Sequence, residues 1–184
     1  MIRRSLLAAA IAAPITPALA QFDVMTLKPI VKAVREGDEE KVRQSLLKGE
    51  NPNQTDTSGQ PLLMVAVMAG QIGVVETLLK GGAIVDTVDR ESYTSLIRAA
   101  EKGDVDIVDA LLKRNAKPNA QTRQGVTALM VAARLGHAEI VRLLLEKKAN
   151  PNTPDFTGRT ALTFARQAGK PTIEAMLRKA GGKE

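Results

Sequence analysis

The sequence predicts an all-α repeat solenoid, and three phased series carry that prediction. Glycine recurs at Gly37, Gly70, Gly103, Gly136 and Gly169, always 33 residues apart. Alanine keeps the same interval at Ala33, Ala66, Ala99, Ala132 and Ala165, and an Asn/Asp position keeps it at Asn53, Asp86, Asn119 and Asn152. Series sharing one period mark a tandem repeat, in which each unit buries its apolar faces against its neighbours. The period divides residues 21–184 into five units, at about 21–54, 55–87, 88–120, 121–153 and 154–184.

Each unit reads as two short amphipathic helices and a polar turn. In the first unit Gly37 ends one helix, and Gly49 supplies a second left-handed position. The second unit opens with Pro61-Leu62-Leu63-Met64-Val65-Ala66 and continues through Val74, Val75, Leu78 and Leu79 to Gly82. The third opens with Thr94-Ser95-Leu96-Ile97-Arg98-Ala99, and its second helix carries Ile107, Val108, Leu111 and Leu112 before Asn115. In the fourth, Thr127 to Gly136 form the first helix and its end. Its second helix runs from His137 to Lys147, with Ile140, Val141, Leu144 and Leu145 at helical spacing. Lys148 then occupies the left-handed position that Gly or Asn fills elsewhere, at some cost in stability. The fifth unit opens with Thr160-Ala161-Leu162-Thr163-Phe164-Ala165 and closes at Gly181. Asp56-Thr57-Ser58-Gly59 and Asp155-Phe156-Thr157-Gly158 are turns between units.

The end units lose apolar residues in complementary places. Val75, Val108 and Val141 become Glu174 in the last unit, Leu79, Leu112 and Leu145 become Arg178, and Ala100 and Ala133 become Arg166. Glu174 and Arg178 also form a favourable i,i+4 pair. In the first unit Leu78, Leu111 and Leu144 correspond to Ser45, and Val74, Ile107 and Ile140 to Lys41. One set of positions therefore faces the following unit and the other the preceding one. The expectation is five units, capped at both ends.

Residues 1–20 read as a cleaved signal peptide. Arg3 and Arg4 form a positive start, Leu6 to Ala13 a short apolar stretch, and Ala18-Leu19-Ala20 a small-x-small cleavage site. The apolar run is too short to span a membrane, and Pro14 and Pro17 break it. Arg3-Arg4-Ser5-Leu6-Leu7 resembles a twin-arginine motif, but the general secretory route is favoured. A short Ala-rich leader points to a bacterial periplasmic or secreted protein, with no stable membrane insertion after cleavage. Export also argues against nucleic acid as a partner. Cleavage would leave 24 basic and 20 acidic residues, a net charge of +4. That permits attraction to acidic partners or anionic headgroups without demanding it.

The 33-residue units resemble ankyrin repeats. The resemblance rests on the four helix openings quoted above and on Gly136-His137-Ala138-Glu139-Ile140-Val141-Arg142-Leu143-Leu144-Leu145, and covers roughly residues 27–182. It implies a stack of about five helix-turn-helix units with short β-hairpin loops. Two departures weaken the hydrogen bonding expected between hairpin and helix. The family's Pro is missing after Thr94, Thr127 and Thr160, and its His is replaced by Met64, Ile97, Met130 or Thr163.

Little in the chain can carry chemistry, and the reading is a non-catalytic protein with no cofactor. There is no cysteine, which removes disulfides, thiolate nucleophiles and zinc–thiolate sites. One histidine, His137, cannot build the usual triads or a multi-His metal site. At the start of a second helix it is expected to satisfy local backbone groups. Asp104 and Asp106 sit in the first turn of a helix, where the macrodipole favours acids. Asn53-Gln54-Thr55 is a glycosylation triplet, meaningful only in a eukaryotic secretory pathway. Arg90, Arg123 and Arg159 occupy nearby phases, as solvated turn residues do.

The resemblance implies that a protein partner docks on the hairpin tips and the exposed side of the first helices. Carried over by position, the candidates are Arg90 and Tyr93, Arg123, Phe156 and Arg159 at the tips, with Met68, Glu101, Lys102, Arg134 and Leu135 at the helix ends. Tyr93 and Phe156 are two of only four aromatics, and aromatic and Arg side chains dominate binding hot spots. The expected function is a monomeric protein–protein interaction module of the bacterial envelope. The alternative is an auxiliary factor whose groove holds a small ligand or an acidic envelope polymer.

Overall fold

The computed structural model describes residues 28–183. These form five helix pairs: α1 (Pro29–Glu36) with α2 (Glu39–Leu47), α3 (Leu62–Ala69) with α4 (Ile72–Lys80), α5 (Ser95–Lys102) with α6 (Val105–Lys113), α7 (Ala128–Leu135) with α8 (Ala138–Glu146), and α9 (Ala161–Gln167) with α10 (Pro171–Lys179). The proposed signal segment lies outside the described residues. First helices contact first helices of the next pair, and second helices contact second helices, which makes a solenoid.

The sequence sets each helix boundary. Pro29 and Pro171 stand at the first position of their helices, where a missing N–H is harmless. Asp38, Thr94, Asp104 and Thr127 each accept a backbone N–H from the first turn. The recurrent alanines, such as Ala66, Ala99 and Ala132, are fully buried and let the first helices approach closely. Val75, Val108, Val141, Leu78, Leu111 and Leu144 are also fully buried between pairs.

The glycine series has two causes. Gly103 ends α5 with φ 76°, a left-handed conformation. A Cβ there would also stand 2.6 Å from the ring of His137 in the next pair. His137 therefore fills the space over a neighbour's glycine. It makes no capping bond to its own helix, contrary to the role expected for it. Gln71 covers Gly37 in the same way, whereas a Cβ at Gly169 would meet nothing within 4 Å among the described residues. Lys148 does adopt the left-handed conformation, at φ 62°.

The Asn/Asp series ties each pair to the next. Asn53 accepts the N–H of Ile84 at 2.7 Å and donates its amide to the carbonyl of Gly82 at 3.2 Å. Asn119 and Asn152 repeat both bonds two and three pairs further along. Asp86 accepts from Lys117 N at 3.0 Å but, as a carboxylate, has no donor for the second bond. The amide of Asn53 thus has a structural task within its glycosylation triplet.

The hairpins are smaller than expected. Among the described residues they reduce to isolated bridges, Thr55 with Pro61 and Val88 with Thr94. Side chains hold the tips instead: one oxygen of Asp56, Asp89 or Asp155, or the hydroxyl of Thr122, accepts two N–H groups of its own turn.

The ends follow the expected polarity with one difference. Lys41 and Arg178 are exposed, and Glu174 comes within 3.9 Å of Arg166. Ser45, however, is only 5% exposed. It lies in a depression of about 300 Å³ lined by the longer side chains of Lys32, Glu36, Lys41, Gln44 and Lys48, so a small residue there is shielded from solvent.

Candidate functional site

The first helices and the turns before them form a ladder of tips and helix ends, one rung per pair. Phe156 is the most prominent feature on it, with 73% of its surface exposed. Its N–H donates to the carbonyl of Gln124 at 3.1 Å, which joins the fourth and fifth tips, and its ring edge lies against Gly125. Asp155, directly before it, is buried and holds the turn together. Its carboxyl accepts from the N–H groups of Thr157 and Arg159, the Thr157 hydroxyl, and the Arg159 guanidinium at 2.8 and 2.9 Å. Burial pushes this carboxyl up, but the hydrogen bonds outweigh it and hold the pKa at about 2.

Tyr93 is placed differently from the expectation of an exposed tip aromatic. It is half-buried against the core, with the Arg98 guanidinium stacked 3.7 Å over its ring. Arg98 also pairs with Asp89 at 2.8 Å, with Glu91 at 3.3 Å and with Glu101 at 3.1 Å. Burial pushes the Asp89 carboxyl up. Donation from Arg98 and from the N–H groups of Tyr93 and Glu91 prevails, so its pKa is lowered. The signal in the sequence that could have found Arg98 is its register: Val65, Val131 and Phe164 hold the equivalent positions, and only the first unit, with Lys32, shares a basic residue there.

The remaining candidates divide by how they are engaged. Arg90 donates to the carbonyl of Ser58 at 2.8 Å, and Lys102 reaches the carbonyl of Met68. Arg159 is tied to Asp155 and lies 4.6 Å from the Phe164 ring centroid. Glu101 belongs to the Arg98 cluster. Arg123 and Arg134 are exposed and have no ion pair among the described residues. Met68 and Leu135 are 42% and 39% exposed, which is high for large apolar side chains. A cavity of about 250 Å³ opens between the second and third tips, lined by Ser58, Gln60, Asp89, Arg90 and Arg98. Among the described residues no group of three or more His, Asp or Glu could hold a metal ion.

A stack of paired helices with turns projecting from one side is a repeat scaffold, a class that presents an extended surface rather than an enclosed site. The family model described as ankyrin repeats (3 copies) matches residues 30–122 and 114–183. The chain belongs to the ankyrin-repeat family. Among curated proteins no match was found. Ankyrin repeats are in general protein–protein interaction modules, and the fold is typically non-catalytic.

Proposed function

We propose that this chain is an exported bacterial envelope protein that captures another protein on the face formed by its turn tips and first helices. It does no chemistry itself and acts as a monomer. The observation that carries the reading is Phe156. Folding leaves 73% of an aromatic ring in water, on a turn rigidly braced by Asp155, in a chain with four aromatics. A braced, exposed aromatic has little entropy to lose on binding, as hot-spot residues require. Leu135, Arg134 and Arg123 supply apolar and cationic surface in the pair before it. The leader at residues 1–20 supports the envelope location.

The test is capture from periplasmic extract by the mature chain and its variants. Phe156→Ala and Arg123→Glu should each weaken retention of the same partner about tenfold or more, with unchanged melting temperatures. Asp106→Ala, on α6, should retain it fully. Loss of capture in that control alone would place the partner on the second helices and refute the site.

A further inference from the structure

The positive charge of this protein is gathered on one edge. The second helices stack side by side, so their C-terminal ends and the loops that follow line a single edge of the solenoid. Five equivalent spans form it: residues 47–51, 80–84, 113–117, 146–150 and 179–183. Together they hold nine Lys or Arg and two acids, a surplus of seven positive charges. The other described residues hold fifteen basic and sixteen acidic side chains. The whole excess therefore sits on this edge, and all nine cations are exposed.

Helix ends favour cations in the last turn, which accounts for Lys80 and Lys113. These two pair with Glu76 and Asp109 one turn earlier. Lys117, Lys148 and Lys183 lie beyond any helix and need another reason. Lys48, Arg114, Lys147 and Lys148 have no ion pair among the described residues. The edge is also rigid, because the Asn/Asp series pins the loop backbone at Ile84, Lys117, Asn150 and Lys183.

We infer that this edge adsorbs to an anionic lipid bilayer, with the stack lying along the membrane surface. Three features favour that occupant. The cations run the full length of the stack, as a uniformly charged plane requires and a compact epitope does not. Eight of the nine are Lys, a hydrated point charge, whereas two-pronged recognition of a particular carboxylate or phosphate favours Arg. Leu47 and Ile84 project from the same edge, 82% and 58% exposed, where they can enter the headgroup layer. Adsorption needs no spanning segment, and among the described residues no helix is long and apolar enough to cross a membrane. The inference is independent of the partner face, which lies on the first helices and tips.

The test is co-sedimentation of the full chain with vesicles of phosphatidylcholine, alone or mixed with phosphatidylglycerol. Binding should require phosphatidylglycerol and weaken as salt rises. Each basic residue near the headgroups contributes about fivefold. The variant Lys113→Gln, Arg114→Gln, Lys147→Gln, Lys148→Asn should lose at least about twenty-five-fold, the product for two such charges. Asn is chosen at 148 because it tolerates the left-handed backbone. Lys113→Arg with Lys147→Arg should bind as the parent, which separates charge from folding damage. Phe156→Ala should also bind as the parent. Equal binding to neutral vesicles, undiminished binding by the quadruple variant, or loss in Phe156→Ala would overturn the inference. So would salt-sensitive binding to soluble polyglutamate or heparin without binding to anionic vesicles, since a polyanion or acidic protein would then be the occupant.

Discussion

Replacing Asp86 with Asn should stabilise the stack, because it completes a bond that only this member of the series lacks. At the equivalent sites Asn53, Asn119 and Asn152 donate to a carbonyl 29 residues ahead, at 3.2, 3.4 and 3.0 Å. The carbonyl in that register for Asp86 is that of Asn115, and a carboxylate offers it no proton. A net hydrogen bond contributes about 0.5–1.5 kcal/mol, and solvent exposure here argues for the lower half. The change also removes a charge 4.0 Å from Lys117 Nζ, but that lysine is 78% exposed, so its loss costs close to nothing. Asp86→Asn should therefore gain about 0.5–1 kcal/mol, and the reverse change Asn119→Asp should lose about as much. Urea titration followed by far-ultraviolet circular dichroism is the appropriate assay, since the chain has no Trp. The midpoint should rise for the first variant and fall for the second, with unchanged slope. A repeat at high salt separates the causes: a gain from the new bond persists, and one from altered net charge collapses. An unchanged or lowered midpoint for Asp86→Asn would refute the account of the series as a ladder of paired bonds.

Two further outcomes follow from buried polar groups. The Ser95 hydroxyl is fully buried with no hydrogen-bond partner among the described residues, while Ala128 and Ala161 occupy the same position in later pairs, so Ser95→Ala should raise the urea midpoint by the equivalent of about 1 kcal/mol. Asp155 has a lowered pKa of about 2, so the stability it supplies is present above the ordinary carboxylate range and is lost as the pH falls from about 4 to 2. That contribution is about 2 kcal/mol. Parallel acid titrations should show Asp155→Asn less sensitive across this window, and identical acid sensitivity in the two proteins would count against the assignment.

The fold was legible because its markers are steric. A left-handed position favours Gly or Asn whatever surrounds it, so the period of 33 and the oddity of Lys148 stand out without coordinates. Roles that depend on the neighbouring pair were not legible. The Asn/Asp series was visible, but its partners are backbone groups 29–31 residues away. His137 looked like a helix-start residue, and its task became visible only once the next pair was set over Gly103. The sequence alone suggests an exposed tip aromatic at Tyr93, whereas Arg98 stacks on its ring. The modest net charge hid the basic edge, because the surplus appears only when five spans far apart in sequence are brought into register.

The same geometry redistributes weight among the candidate contact residues. A side chain already bonded within the protein must give up that bond, or keep it and offer less, when a partner arrives. Arg90, Glu101, Lys102 and Arg159 are engaged in this way, and Tyr93 is covered by Arg98. Arg90 and Lys102 brace one tip or helix against another, and Glu101 and Arg159 bond within their own helix or turn. Arg123, Arg134, Leu135 and Phe156 are exposed, and among the described residues no ion pair occupies the two arginines. These four come from consecutive pairs at the C-terminal end of the stack, so the candidate face concentrates on its last two rungs, with exposed Met68 an outlier in the second pair. The uncommitted charges there are both positive and the uncommitted surface is apolar. A partner that fits them presents an acidic group beside an apolar one, within the span of about one repeat.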